Sequence, residues 1–210
     1  MALISYHKRV QELYPKEWID KYRDSILNQT YKDFIILENN YGGDDFRIFG
    51  PERGCAFDTS KKSTFVDSMN LLLDLAFSGG CDYVFNTNVD DYFAVQRIER
   101  QLHFLNQGYD IVASNFHLVK DGTVYHSHRM NEQNIGLELE RGNNPIGHPV
   151  VAYSRKFWEN NRYIPEEIPA EDLKLWQRAY KTGSKFIIMP DFLLFHRVHN
   201  QSVCQNPENR

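Results

Sequence analysis

Short runs of apolar, β-branched or aromatic residues recur along the chain at Ala2 to Tyr6, Phe34 to Leu37, Tyr83 to Phe85, Ile111 to Ala113, Val150 to Tyr153 and Phe186 to Met189. Runs this short, and of this composition, predict buried strands, because a helix needs a longer span to bury a face. Between them the apolar positions change period. Tyr14 to Asn28 sets Tyr14, Trp18, Tyr22, Ile26 and Leu27 near one side of a helix, and Phe65 to Phe77 and Val95 to Leu105 repeat the pattern. A further helix opens at Pro169-Ala170-Glu171-Asp172 and closes at Gly183, with Leu173, Trp176 and Tyr180 as its expected inward face. Strands alternating with helices predict an α/β fold, a Rossmann-like, mixed but mostly parallel sheet flanked by helices. In such a sheet ligands bind beyond the carboxyl ends of the strands, so the residues that follow the apolar runs are the informative ones.

A chain of 210 residues can bury a full core without cross-links, and no repeat or Gly/Ser linker divides it before the polar tail near Asn206. One domain is the expectation, with halves at about 1–92 and about 93–204, leaving open a place within a longer protein. The net charge is −4 with acids and bases interleaved, which leaves no basic stripe for a nucleic-acid backbone. Cys55, Cys81 and Cys204 are odd in number and lack CxxC spacing, so free thiols and a reducing compartment are expected and a thiolate zinc site is not. Met1 to Tyr6 is too short for a signal peptide, and the apolar stretch Leu71 to Phe77, broken by Asp74, is too short for a membrane span. A cytoplasmic location is the expectation.

Three segments carry chemistry. Asn88-Val89-Asp90-Asp91 follows the run at Tyr83 to Phe85, at a strand's carboxyl end. Adjacent carboxylates there repel unless a cation or ligand neutralises them, and oxygen donors of this kind suit Mn²⁺ or Mg²⁺ bridging to phosphates; helix capping by either acid is the structural alternative. In Glu171-Asp172-Leu173-Lys174-Leu175-Trp176-Gln177-Arg178 two acids open a helix, where they either act on a ligand or simply stabilise the positive terminus. His196-Arg197-Val198-His199-Asn200-Gln201-Ser202 follows the apolar run Phe192 to Phe195, and an arginine between histidines can hold a diphosphate and a metal.

Taken in order from Leu3 to Cys204, the chain resembles the family 2 glycosyltransferases of the GT-A fold. Ser5-Tyr6-His7 stands where that family's first strand ends, and Ser25-Ile26-Leu27-Asn28-Gln29-Thr30-Tyr31 matches its "S-I-x-x-Q-T-Y". Leu37-Glu38-Asn39-Asn40 stands where the family places an acidic pair at the nucleoside base, with one acid kept. Asn70 lies on the helix before the metal strand, and Asn88-Val89-Asp90-Asp91 fills the "D-x-D-D" position with Asn first. Pro145-Ile146-Gly147-His148-Pro149 and Tyr153-Ser154-Arg155-Lys156-Phe157 occupy the acceptor-side turn and strand, Glu171-Asp172 with Leu175-Trp176 and Arg178 matches "E-D-x-x-L-W-x-R", and His196 to Ser202 matches the closing "Y-R-x-H-x-x-S".

The resemblance implies an inverting transfer of a sugar from a nucleotide donor, UDP-linked in many relatives, to a hydroxyl of a carbohydrate or glycoprotein acceptor. It implies Asp90 and His199 as ligands of Mn²⁺ or Mg²⁺, and Asp172 as general base with Glu171 as the alternative. Ser5, Tyr6, Glu38, Lys62, Asn70, Asn88, Val89 and Arg197 are the implied nucleotide contacts, Arg197 and Lys62 toward the diphosphate. Two other readings compete. A nucleotidyltransferase would carry a Gly-rich basic loop after the first strand, where Tyr6-His7-Lys8-Arg9-Val10 has no glycine. A binding module that has lost turnover would explain Asn88 and the lone Glu38.

Overall fold

The computed structural model describes residues 1–51, 54–129 and 134–200; Cys204, Gln201, Ser202 and the polar tail lie outside the described residues. Strands are β1 (Ala2–His7), β2 (Ile35–Asn40), β3 (Ala56–Asp58), β4 (Tyr83–Phe85), β5 (Tyr92–Phe93), β6 (Ile111–Lys120), β7 (Thr123–His128), β8 (Ala152–Ser154) and β9 (Phe186–Arg197). Helices are α1 (Val10–Leu13), α2 (Lys16–Leu27), α3 (Phe65–Ser78), α4 (Arg97–Leu105), α5 (Ile135–Glu140), α6 (Arg155–Asn160) and α7 (Glu171–Lys181).

One sheet runs through the chain in the order β3-β2-β1-β4-β8-β6-β9-β5, with β7 paired to β6. The longer ladders are parallel, β1 on β2 from Ala2↔Ile35 to His7↔Asn40 and β6 on β9 from Ile111↔Phe186 to Val119↔Arg197. β8 inserts antiparallel between β4 and β6, and β5 pairs antiparallel with β9. Successive strand residues point to opposite faces, so Ala2 and Ile4 pack with Met69, Leu72, Trp158 and Trp176 beneath α3, α6 and α7. Leu3 turns instead to Ile19, Tyr22, Ile26 and Ile98 beneath α2 and α4.

The helices begin and end for local reasons. Thr64 caps α3 by accepting from Asp67 N at 3.1 Å, while Asp67 Oδ2 accepts from Thr64 N at 3.0 Å, a reciprocal capping box. α7 has Glu171 and Asp172 in its first turn and Arg178 and Lys181 in its last, matching the helix dipole at both ends. Its buried face is Glu171, Leu175, Trp176 and Ala179. That corrects the expected face, since Leu173 is half-buried and Tyr180 is 41% exposed. Tyr180 lies over α5 instead, where a Cβ on Gly136 would stand 2.0 Å from its hydroxyl.

Five expected strands change length, β1 by the addition of His7. β2 extends to Asn40 because Glu38, Asn39 and Asn40, although buried, are hydrogen-bonded by neighbouring loops and the end of β3. β6 and β9 extend well past Ala113 and Met189, since pairing with each other satisfies polar stretches that interrupt the apolar runs. Val150 falls in a 3-10 turn, His148–Val150, and leaves β8 to start at Ala152. No helix among the described residues is long and apolar enough to cross a membrane.

Candidate active site

The carboxyl ends of β1, β2 and β4 point the same way, and the chain beyond β4 crosses that edge as Asn86 to Asp91 before pairing with β9. The register Tyr92↔Phe195 therefore brings Asp91 beside His196 and Arg197, more than a hundred residues later. Asp91 is buried and accepts from Arg197 N at 2.9 Å, with His196 Nδ1 at 3.0 Å. The Arg197 guanidinium donates to Asp90 O at 2.7 Å and lies 4.9 Å from both the Trp18 and Tyr92 ring centres. So tied, the segment after β9 places His199 Nε2 3.2 Å from Asp90 Oδ2. Trp18 and Tyr14 meet the His199 ring edge to face at 5.1 and 5.6 Å and hold it there.

The electrostatics separate the two acids. The Asp91 carboxylate raises the His196 imidazole to about 9, against the opposing effect of burial. Burial pushes the Asp91 carboxyl above its usual range, with His196 pulling it back. Asp91 and His196 thus serve as a structural ion pair, and Asp90 with His199 is the pair left at the edge. A cation held by one carboxylate and one imidazole at about 2.0–2.2 Å each, side by side, needs the two donors about 3 Å apart, and the observed 3.2 Å fits. Among the described residues no three His, Cys, Asp or Glu side chains gather at one point. That donor set suits Mn²⁺ or Mg²⁺, which complete their shells with phosphate and water.

A second group of side chains comes from α7 and the turn before β8. Asp172 is half-buried and accepts from Leu173 N at 2.6 Å on one oxygen and from Asn144 Nδ2 at 2.7 Å on the other. Glu171 is buried. Within the field of Asp172, His148 Nε2 meets Tyr163 Oη at 2.9 Å, and Tyr163 Oη meets Tyr153 Oη at 2.6 Å. Burial drives all three toward their neutral forms, pushing His148 down while Asp172 opposes, and pushing both tyrosines up. Tyr6, also pushed up by burial and next by Tyr153, donates to Asn88 Oδ1 at 3.0 Å and so links this group to the β4 loop.

Several expected contacts are already engaged inside the fold. Glu38 is fully buried, accepting from Ile48 N at 2.7 Å and Phe49 N at 3.2 Å with His7 Nε2 at 2.8 Å, because residues 46–49 fold back over its carboxylate. Ser5 Oγ accepts from Tyr22 Oη at 2.9 Å, and Val89 is a core residue, so these two side chains face inward. Arg197 is likewise enclosed, which turns its charge to the loop carbonyls and away from an external diphosphate. Lys62 is half-buried where its N–H meets Tyr41 O at 3.3 Å, and Asn70 donates to Tyr163 O at 3.0 Å. Tyr6 and Asn88 stand together at the edge. Sequence reasoning flagged Asp91 and His196 only within their segments, as candidates for a cation or diphosphate, and did not single out Asn144.

No family model matches the chain. The O-antigen biosynthesis glycosyltransferase WbnJ of Escherichia coli is 23% identical over 195 residues, covering 89% of this chain and 76% of that protein. The structure of S. aureus TarS 1-349 in complex with UDP-GlcNAc is similar with a TM-score of 0.72 at 13% identity, over 94% of this chain and 58% of that one. The mannosyltransferase PcManGT from Pyrobaculum calidifontis, in complex with GDP-Man and Mn²⁺, gives 0.64 at 14% identity over 90% of this chain. The chain spans 54% of the length of the latter. Sequence relative and structural neighbours together bear out the glycosyltransferase resemblance and the GT-A-type α/β fold.

Proposed function

We propose that this chain, a glycosyltransferase by its relatives and its architecture, is a family 2-like enzyme that moves a sugar from a nucleotide diphosphate donor, UDP-linked, to a hydroxyl of a carbohydrate or glycoprotein acceptor with inversion. The observation that carries the reading is the meeting of Asp90 and His199 at the carboxyl edge of the sheet, held by the Asp91, His196 and Arg197 tether. Asp90 and His199 would hold Mn²⁺ or Mg²⁺, which when bound neutralises charge on a diphosphate. Support for the donor class comes from the UDP-GlcNAc and GDP-Man bound by the structural neighbours.

Asp172 acts as the base. With one donor on each oxygen it keeps a lone pair on each for the acceptor proton. As Asp172 takes that proton, the acceptor oxygen bonds to the anomeric carbon, and the bond from that carbon to the diphosphate oxygen breaks on the opposite face. The nucleoside diphosphate leaves with the electron pair, and the anomeric configuration inverts. Tyr6 and Asn88 present hydroxyl and amide groups to the donor at the end of β1 and the β4 loop.

A screen of UDP-GlcNAc, UDP-glucose, UDP-galactose and GDP-mannose, each with Mn²⁺ or EDTA and with water as acceptor, tests the reading through release of free nucleotide. Metal-dependent release from at least one donor, reduced about 10²- to 10⁴-fold in Asp172→Asn with UDP affinity unchanged, is expected. Nucleotide binding without release from any donor would overturn the enzymatic reading in favour of a binding module, and equal UDP affinity in Mn²⁺ and EDTA would overturn the cation's role.

A further inference from the structure

We propose that Asn144 is the positioning residue of the general base, an inference that rests on the reading of Asp172 given above. Asn144 lies 28 residues before Asp172 in the segment between α5 and β8, and it is exposed. Its Oδ1 accepts from Ile146 N at 3.3 Å, which fixes which end of the amide is oxygen and turns the NH₂ to Asp172 Oδ2 at 2.7 Å. The Leu173 N–H holds the other carboxylate oxygen at 2.6 Å. Two donors on two oxygens leave the carboxylate no free rotation, and the direction of its remaining lone pairs is set.

The segment that carries Asn144 is itself anchored on both sides. Asn143 N and Nδ2 donate to Glu138 O at 2.9 Å and Glu138 Oε2 at 2.7 Å, Pro145 and Ile146 are buried, and Asn86 Nδ2 donates to His148 O at 3.0 Å. Asn144 therefore presents a fixed donor from a fixed backbone. The donor is also neutral. Among the described residues no lysine, arginine or histidine forms an ion pair with Asp172, and a cation at that distance would favour the carboxylate form and weaken the base. An amide orients without that penalty. Because the contact is exposed, it adds little to folding, and its consequence falls on the alignment of the base with the acceptor hydroxyl.

The test uses the full chain and nucleotide release from the donor turned over fastest in the screen above, with Asp172→Asn as reference. Asn144→Ala is expected to lower kcat about 10- to 100-fold, with donor KM and UDP affinity within about twofold of the parent and an unchanged melting temperature. Asn144→Asp is isosteric and keeps the acceptor for Ile146 N, but sets a second carboxylate against Asp172. The pair then holds a proton more tightly, and the acid limb of the kcat against pH profile moves to higher pH. If Asn144→Ala keeps kcat within about twofold while Asp172→Asn loses turnover, the positioning role is wrong and the base assignment stands. If Asn144→Ala loses UDP affinity or thermal stability along with kcat, its role is structural and the proposal is likewise overturned. Retained turnover in Asp172→Asn would defeat the base assignment itself.

Discussion

Asp91 is the buried acid that ties β9 to the loop after β4, and Asp91→Ala measures how much the candidate site depends on it. The substitution strands the Arg197 N–H, which is buried, at a cost of about 1–3 kcal/mol. It also strands the His196 imidazolium, whose side chain is 33% exposed, so water takes up much of that cost and about 1 kcal/mol remains. The sum, about 2–4 kcal/mol, corresponds to a melting temperature lowered by about 6–12 °C for a domain of this size. Asp91→Asn keeps one acceptor oxygen and should lose about half as much. The pH dependence has a definite sign. His196 titrates at about 9 in the folded chain against an ordinary 6.5, so its pairing stabilises fully below about pH 6.5 and the contribution is lost as pH rises through about 9. At the acid end the gain persists down to the range where Asp91, raised by burial from 3.8, takes a proton. Thermal melts of parent and both variants between pH 5.5 and 10, with calorimetry of UDP in Mn²⁺, check the whole argument. The variants should also bind UDP more weakly, because the tether that places His199 beside Asp90 is gone. A stability gap that stays constant across this pH range, or an Asp91→Ala variant as stable as the parent, would refute it.

Two further outcomes follow from particular contacts. Thr64→Ala removes the side-chain arm of the α3 capping box, leaving the Thr64 N–H on Asp67, and should cost about 1 kcal/mol, with Thr64→Ser restoring it, as urea denaturation would read. Asn88→Asp keeps an acceptor for the Tyr6 hydroxyl and adds a carboxylate two residues from Asp90, so Mn²⁺ affinity should rise about two- to tenfold by calorimetry; an unchanged affinity would place the side chain away from the cation.

Sequence patterning located α3 to within two residues because its apolar period is long, and α7 because acids mark its start and Gly183 its end, although its apolar period pointed to the wrong face. It shortened β6 and β9, since Ser114, Asn115 and His117 interrupt the alternation and only their partners across the sheet make them strand residues. The antiparallel insertion of β8 was equally hidden, because strand direction depends on how far the intervening chain travels. The site was legible as a set of segments and much less so as a set of side chains. Glu38 and Asp90 both follow apolar runs, yet residues 46–49 fold back to give Glu38 two backbone donors, and nothing in their pattern announces this.

The two acidic pairs make the reason plain. Neighbouring side chains on one backbone cannot face the same way, since an extended strand sends them to opposite sides and a helix turns them about 100° apart. Asp91 therefore goes inward to His196 and the Arg197 N–H, which leaves Asp90 at the edge with His199. Glu171 goes inward with Trp176, which leaves Asp172 half-buried toward Asn144. A doubled acid at a strand end or helix start thus supplies one group to the fold and leaves the other toward the edge. The partner that claims the inner acid, β9 for one pair and the core beneath α7 for the other, decides which is which, and that partner is distant in sequence. Adjacency alone therefore does not fix how such acids behave: the Asp91 carboxyl is raised first by burial, with His196 opposing and Asp90 adding to the rise.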